Sequence, residues 1–151
     1  MNTFSSRIDK EKKQIKKILN DEIFFLSSVK NDRYCFLLLG PLEYTNYFFQ
    51  SKLIEIYLPI SYPLKPPGVL FISRIFHPNI DPLGRPCIDI LKDEWSPALQ
   101  IRTLILSVQS FMTHPNFNDP LDQKLSKIFQ NNKGNGVVKK IVFILNDLTP
   151  C

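Results

Sequence analysis

Glycine is scarce in this chain. Five glycines in 151 residues, with no Gly-x-y period, exclude a collagen-like rod. Cysteine is scarcer: Cys35, Cys87 and Cys151. An odd count without metal-ligand spacing argues against a disulfide framework and against a Cys/His zinc site. Long apolar runs are missing. A stretch such as Cys35-Phe36-Leu37-Leu38-Leu39 is far too short to span a bilayer. Lys10, Lys12, Lys13, Lys16 and Lys17 lack a following apolar segment of the kind a secretory signal needs. The expectation is therefore a reducing intracellular setting, cytoplasmic or nuclear, with free thiols. Internal repeats and low-complexity tracts are also lacking.

What is present looks like one ordinary globular domain over residues 1–151. Hydrophobic residues make 44% and charged residues 22%, which excludes wholesale disorder. The net charge of +5 is mild, and six of the nineteen basic residues fall in the first twenty positions. Those lysines carry no interleaved aromatics and no recognition motif, so neither nucleic acid nor membrane is indicated. They read either as a solvated helix face or as a surface that speeds docking to an acidic partner.

Periodicity predicts a helix over 5–19, with Ile8, Ile15, Ile18 and Leu19 on one face and Ser6 as its cap. Strands are predicted at 33–39, 51–58 and 69–73, with three or four sequential strands in all. Pro63, Pro66 and Pro67 forbid helix or central strand between the last two. Residues 74–97 hold Pro78, Pro82, Pro86, Pro97 and Gly84 but also Ile75, Phe76, Ile80, Ile88, Ile90, Leu91 and Trp95, which predicts a long, packed loop. Ser96-Pro97 reads as a helix start, followed by Ile101, Leu104, Ile105, Val108 and Met112 and ended by Pro115. Further helices are predicted at 121–131 and 137–148. Sequential strands with segregated helices make an α+β domain: an N-terminal helix, an antiparallel meander of about four strands, a long loop, then helices.

Several residues of the loop could carry chemistry. Cys87 is either a small buried apolar residue or a partly exposed thiol that Arg85 would favour as thiolate. His77 is a histidine bonded to backbone in a turn, or a base if it reached the thiol. Asn79 is a turn residue, or a carboxamide donor to an oxyanion. Asp119, before Pro120, shapes a turn or orients an incoming amine.

Together these segments resemble one family. Tyr62-Pro63-Leu64-Lys65-Pro66-Pro67, His77-Pro78-Asn79-Ile80, Gly84-Arg85-Pro86-Cys87-Ile88-Asp89-Ile90-Leu91 and Trp95-Ser96-Pro97-Ala98 are similar to the ubiquitin-conjugating enzymes. The block 91–103 most resembles the subfamily that builds chains through lysine sixty-three of ubiquitin with a catalytically inactive variant partner. The resemblance implies that Cys87 accepts ubiquitin as a thioester from the activating enzyme. It implies that Asn79 stabilises an oxyanion or organises the loop. His77 and Pro78 take structural parts, and Asp119 assists the attacking lysine. Arg7, Lys10, Leu64, Ser96, Pro97 and Ala98 fall at positions that meet the activating enzyme or a RING-type ligase. Glu55, Tyr57 and Leu70 fall on the variant-partner surface, although Leu70 replaces a basic residue there. No cofactor is implied, because ATP is consumed by the activating enzyme upstream. Lys92, five residues from Cys87, is a candidate for self-modification. Three departures stand out: a glycine-free segment at 44–50, Pro86 before the cysteine, and Gln123 in place of a shorter amide. Another ubiquitin-like cargo, or a non-catalytic binding role, remains compatible with the residues.

Overall fold

A computed structural model describes residues 3–18, 23–29, 32–39 and 51–131. Helix α1 runs Thr3–Ile18. It starts before the expected boundary, so Ser6 lies inside the helix and is not its cap. Ile8 and Ile15 are buried, as their spacing predicts, and between them Glu11 is buried too. Leu19 lies outside the described residues.

Four strands follow: β1 Ile23–Val29, β2 Arg33–Leu38, β3 Lys52–Tyr57 and β4 Gly68–Phe71. They form an antiparallel meander in chain order, the topology that sequential strands predict. Sequence periodicity located three of the four. Strand β1 escaped it because the register shifts between Phe25 and Ser27, which breaks the two-residue alternation. Phe24 and Leu26 are also exposed, so its apolar residues do not share a face.

The inner face of the sheet carries Tyr34, Phe36, Leu38, Ile54, Ile56, Val69 and Phe71, all buried. They join Ile101, Leu104, Ile105, Val108 and Met112 of helix α2 (Ile101–Thr113) in one core. Each such side chain contributes about 1.5–3 kcal/mol relative to exposure. Residues 72–100 hold the expected long loop, pinned by buried Ile80 and Ile88 and by half-buried Trp95. It holds a short 3-10 helix at Asp89–Leu91.

Helix α2 begins at Ile101, later than Ser96-Pro97 suggests. Ser96 instead closes a turn, its carbonyl accepting the Leu99 N–H at 2.9 Å. The Ile101 N–H is taken by a carboxylate oxygen of Glu11 at 3.1 Å. A residue ninety positions away therefore caps α2 and offsets its dipole. Helix α3, Gln123–Asn131, is capped by Asp122, whose Oδ1 accepts the Leu125 N–H at 2.9 Å. Leu125 is buried as expected, but Leu121 is 52% exposed and lies outside the helix. The helix expected at 137–148 and the segment 44–50 lie outside the described residues.

Candidate active site

The loop around Cys87 is built by hydrogen bonds that the sequence only hints at. The ring of His77 is 1% exposed and lies 4.7 Å from the Phe111 ring, centroid to centroid. Its Nδ1 accepts the Asn79 N–H at 3.1 Å. That fixes the tautomer, so Nε2 is the donor to the Phe111 carbonyl, also at 3.1 Å. Burial pulls the imidazole pKa down to about 4. His77 is therefore a neutral brace between the loop and α2, and it is no base for the thiol.

Asn79 is fully buried. Its Nδ2 donates to the carbonyls of Asn116 (2.7 Å) and Asp119 (3.1 Å), and its Oδ1 accepts the Asn116 N–H at 2.9 Å. The Pro78 carbonyl accepts the amides of Leu121 (2.8 Å) and Asp122 (3.1 Å). The 77–79 segment thus stitches residues 116–122 onto the site. Asn116 was not anticipated, because nothing in its local sequence marks it.

Asp81 organises the turn that follows. Its Oδ1 accepts the amides of Leu83 (3.0 Å) and Arg85 (2.9 Å), and Oδ2 accepts Arg85 Nε at 2.6 Å. The Arg85 amide above all, with the Arg85 guanidinium and the Leu83 amide, holds this carboxyl below its usual range against partial desolvation. Gly84 has φ +84, and a Cβ there would come within 2.2 Å of the Phe71 carbonyl oxygen. Glycine is needed on both counts. Ile80 and Pro86 then form an isolated antiparallel bridge. Its bonds run from Cys87 N–H to the Asn79 carbonyl (2.9 Å) and from Asp81 N–H to the Arg85 carbonyl (3.1 Å). Pro86 sits between them, at a position whose N–H would not bond across, so its missing donor costs the bridge nothing.

The Cys87 thiol is half-buried. The cation at its sulfur is Lys92, not Arg85: Lys92 Nζ donates to Sγ at 2.7 Å, while Arg85 is turned to Asp81. Contact with Cys87 raises the Lys92 pKa, and Asp119 and Asp89 act in the same direction. Asp119 itself is exposed on the rim. The 3-10 turn at Asp89–Leu91 sets this up, because the Lys92 N–H closes onto the Asp89 carbonyl at 2.9 Å. The five-residue separation was visible in the sequence, but the pairing needed the turn.

The other expected surfaces fall in two places. Trp95 Nε1 donates to the Pro63 carbonyl at 2.9 Å, tying exposed Leu64 to the neighbourhood of exposed Ser96, Pro97 and Ala98. Arg7 joins them from α1 by donating to the Leu99 carbonyl. Arg7 is also committed inward, with Nε on Glu11 at 2.8 Å and its guanidinium 5.7 Å from the Tyr62 ring centroid. Lys10 is exposed. Glu55, Tyr57 and Leu70 share the outer sheet face, with Glu55 paired opposite Leu70 and bonded to Arg33 at 2.8 Å. Tyr57 lies across Gly68, whose missing side chain leaves room for the ring. Among the described residues, no group of three or more His, Cys, Asp and Glu is placed to hold a metal ion. No helix there is long and apolar enough to cross a membrane.

The family model described as ubiquitin-conjugating enzyme matches residues 7–142. Ubiquitin-conjugating enzyme E2 13 of Schizosaccharomyces pombe is 52% identical over 80 residues, 53% of this chain and 54% of that protein. Ubiquitin-conjugating enzyme E2 N of Drosophila melanogaster is 49% identical over 84 residues, 56% of each. These two matches span about half the length of each relative. Ubiquitin-conjugating enzyme E2 13 of Saccharomyces cerevisiae is 40% identical over 124 residues, 80% of this chain and 81% of that protein. The E2 domain of a ubiquitin conjugating enzyme from Toxoplasma gondii superposes with a TM-score of 0.76 at 30% identity, covering 97% of this chain and 99% of that one. By its fold, its loop and these matches, the chain belongs to the ubiquitin-conjugating enzyme family and is similar within it to the E2 13 and E2 N proteins.

Proposed function

We propose that this chain, acting as one catalytic domain in the cytoplasm or nucleus, carries ubiquitin as a thioester on Cys87 and passes it to a lysine amine. The observation that carries this reading is the half-buried Cys87 thiol with an ammonium 2.7 Å from its sulfur, on a loop braced by His77 and Asn79. Cys87 thiolate attacks the carbonyl carbon of ubiquitin's thioester with the activating enzyme. A bond forms to Sγ, and the bond to the activating enzyme's sulfur breaks with its electron pair. An amine then attacks the same carbon, and Cys87 leaves as thiolate. The thioester arrives already activated, so the site's task is to hold it, admit an amine and stabilise an oxyanion. Asp119, on the rim, is suited to receive or orient the amine's proton.

Exposed Leu64, Ser96, Pro97, Ala98 and Lys10 support docking of the activating enzyme and a RING-type ligase on one shared surface. Arg7 serves that surface from beneath by fixing α1 to the Leu99 turn. The likeness to E2 13 and E2 N, with Glu55, Tyr57 and Leu70 together on the outer sheet face, supports chain building with an inactive variant partner.

A loading reaction with activating enzyme, ubiquitin and ATP tests the carrier role. Wild type should give a reductant-sensitive adduct, and Cys87→Ser should give a reductant-stable oxyester. A serine variant that still forms a reductant-sensitive adduct refutes Cys87 as the carrier. Loading only with a different modifier would reassign the cargo while keeping the chemistry.

A further inference from the structure

Acyl transfer at Cys87 passes through a tetrahedral oxyanion, and a donor must face it. Around Sγ the obvious donors are already used. Asn79 is fully buried, and both hydrogens of its Nδ2 sit on the carbonyls of Asn116 and Asp119. Turning that amide to an oxyanion would break two bonds and release the loop they hold. The amide of the nucleophile itself is spent on the Asn79 carbonyl at 2.9 Å. Pro86 has no N–H, and the Arg85 guanidinium is held by Asp81 at 2.6 Å.

Lys92 is different. Its backbone is pinned by the bonds of Lys92 N–H to Asp89 and of Trp95 N–H to the Lys92 carbonyl. Its side chain is exposed, and Nζ reaches Sγ at 2.7 Å with one of its three hydrogens. We propose that Lys92 is a catalytic residue of this site, its ammonium donating to the oxyanion formed on the Cys87 thioester. The inference rests on the carrier role proposed above.

The step balances without a new reactant. The amine nitrogen bonds to the carbonyl carbon, and the π pair moves to the oxygen. Lys92 donates a hydrogen bond to that oxygen and keeps its proton. On collapse the carbonyl reforms, the carbon–Sγ bond breaks, and its pair stays on the departing Cys87 sulfur, which the Lys92 ammonium can meet as it leaves. The amine's surplus proton leaves through Asp119 or solvent. In the thioester the sulfur is an acyl sulfide and a weaker acceptor, and the carbonyl oxygen stands two bonds from Sγ, within the reach of a flexible four-carbon side chain whose Nζ already meets Sγ at 2.7 Å. Cys87, Asp119 and Asp89 are the titratable groups that act on Lys92, and all three favour its charged form.

Single-turnover discharge of preformed thioester tests this. Wild type, Lys92→Met and Lys92→Arg are loaded to completion, ATP is removed, and transfer to free lysine is followed over neutral and mildly alkaline pH. Removing one oxyanion donor costs on the order of 100-fold or more in rate. Lys92→Met should show that loss at every pH with an unchanged melting temperature, and Lys92→Arg should recover most of it. Lys92→Met discharging at the wild-type rate overturns the inference alone. So does a Lys92→Met that is slow to alkylate or load but normal in discharge, because Lys92 would then serve only the free cysteine. A wild-type chain that never loads overturns the carrier role and this inference with it.

Discussion

Asn79 and Lys92 divide between them work that sequence assigns to one residue. Asn79 spends its amide on backbone, so Asn79→Ala should first be a stability mutant. Leaving buried loop groups unpaired costs about 1–3 kcal/mol each, and the loss should appear in chemical denaturation together with faster amide exchange at 116–122. Unchanged stability with slowed discharge would return Asn79 to direct chemistry. His77 makes a pH-dependent contribution. Its folded pKa, about 4, lies below its ordinary 6.5. The unfolded state therefore binds more protons between those values, and stability rises with pH across that window. The contribution is complete above pH 6.5 and is lost as pH falls through about 4, amounting to at most about 3 kcal/mol. Denaturation midpoints of wild type and His77→Gln should converge as pH falls; parallel curves would refute the neutral brace.

At the scale of elements, Glu11 and Gly84 hold parts of the fold that are distant in sequence. Glu11 is 1% exposed and accepts from Arg7, from the Tyr62 hydroxyl at 2.6 Å and from the Ile101 amide. Burial, with Glu11's own charge and hydrogen bond, raises the Tyr62 pKa against the opposing influence of Arg7. Glu11→Ala strands three donors at once and should cost about 3 kcal/mol, read as a lower denaturation midpoint. Glu11→Gln should recover part of it, since an amide oxygen still accepts. Gly84→Ala meets both a left-handed backbone and the Phe71 carbonyl. A loss of about 2 kcal/mol or more is expected in thermal unfolding.

Over the whole molecule, the meander separates two surfaces. Its inner face is spent on α2 and the core. Its outer face is left with Phe24 and Tyr57 exposed and with Glu55 opposite Leu70. The side chains of Glu55, Tyr57 and Leu70 take no part in the hydrogen bonds of His77 and Asn79 that build the Cys87 loop. Tyr57→Asp and Leu70→Asp should therefore leave loading on Cys87 unchanged while abolishing capture by an inactive variant partner in a pull-down. Loss of loading in either variant would show that the outer face and the site are not independent.

The order of elements, the α+β class and the segment carrying Cys87 were legible in the chain, because burial imposes periods of 3.6 and 2 on helix and strand and proline excludes both. Ile8 and Ile15, or Leu104 and Val108, announce their burial by spacing alone. Strand β1 was hidden because its bulge breaks that period. Other features are decided only in three dimensions, where bonds join residues distant in the chain. Glu11 stands on the buried stripe of α1 between Ile8 and Ile15, the one local sign of its part. That it caps α2, that Asn79 holds Asn116, and that Lys92 displaces Arg85 at the thiol follow from where the folded backbone places carbonyls and amides. A polar side chain's partner is set by what lies within hydrogen-bond reach, and in a chain that packs α1 against α2 that partner need not be near in sequence.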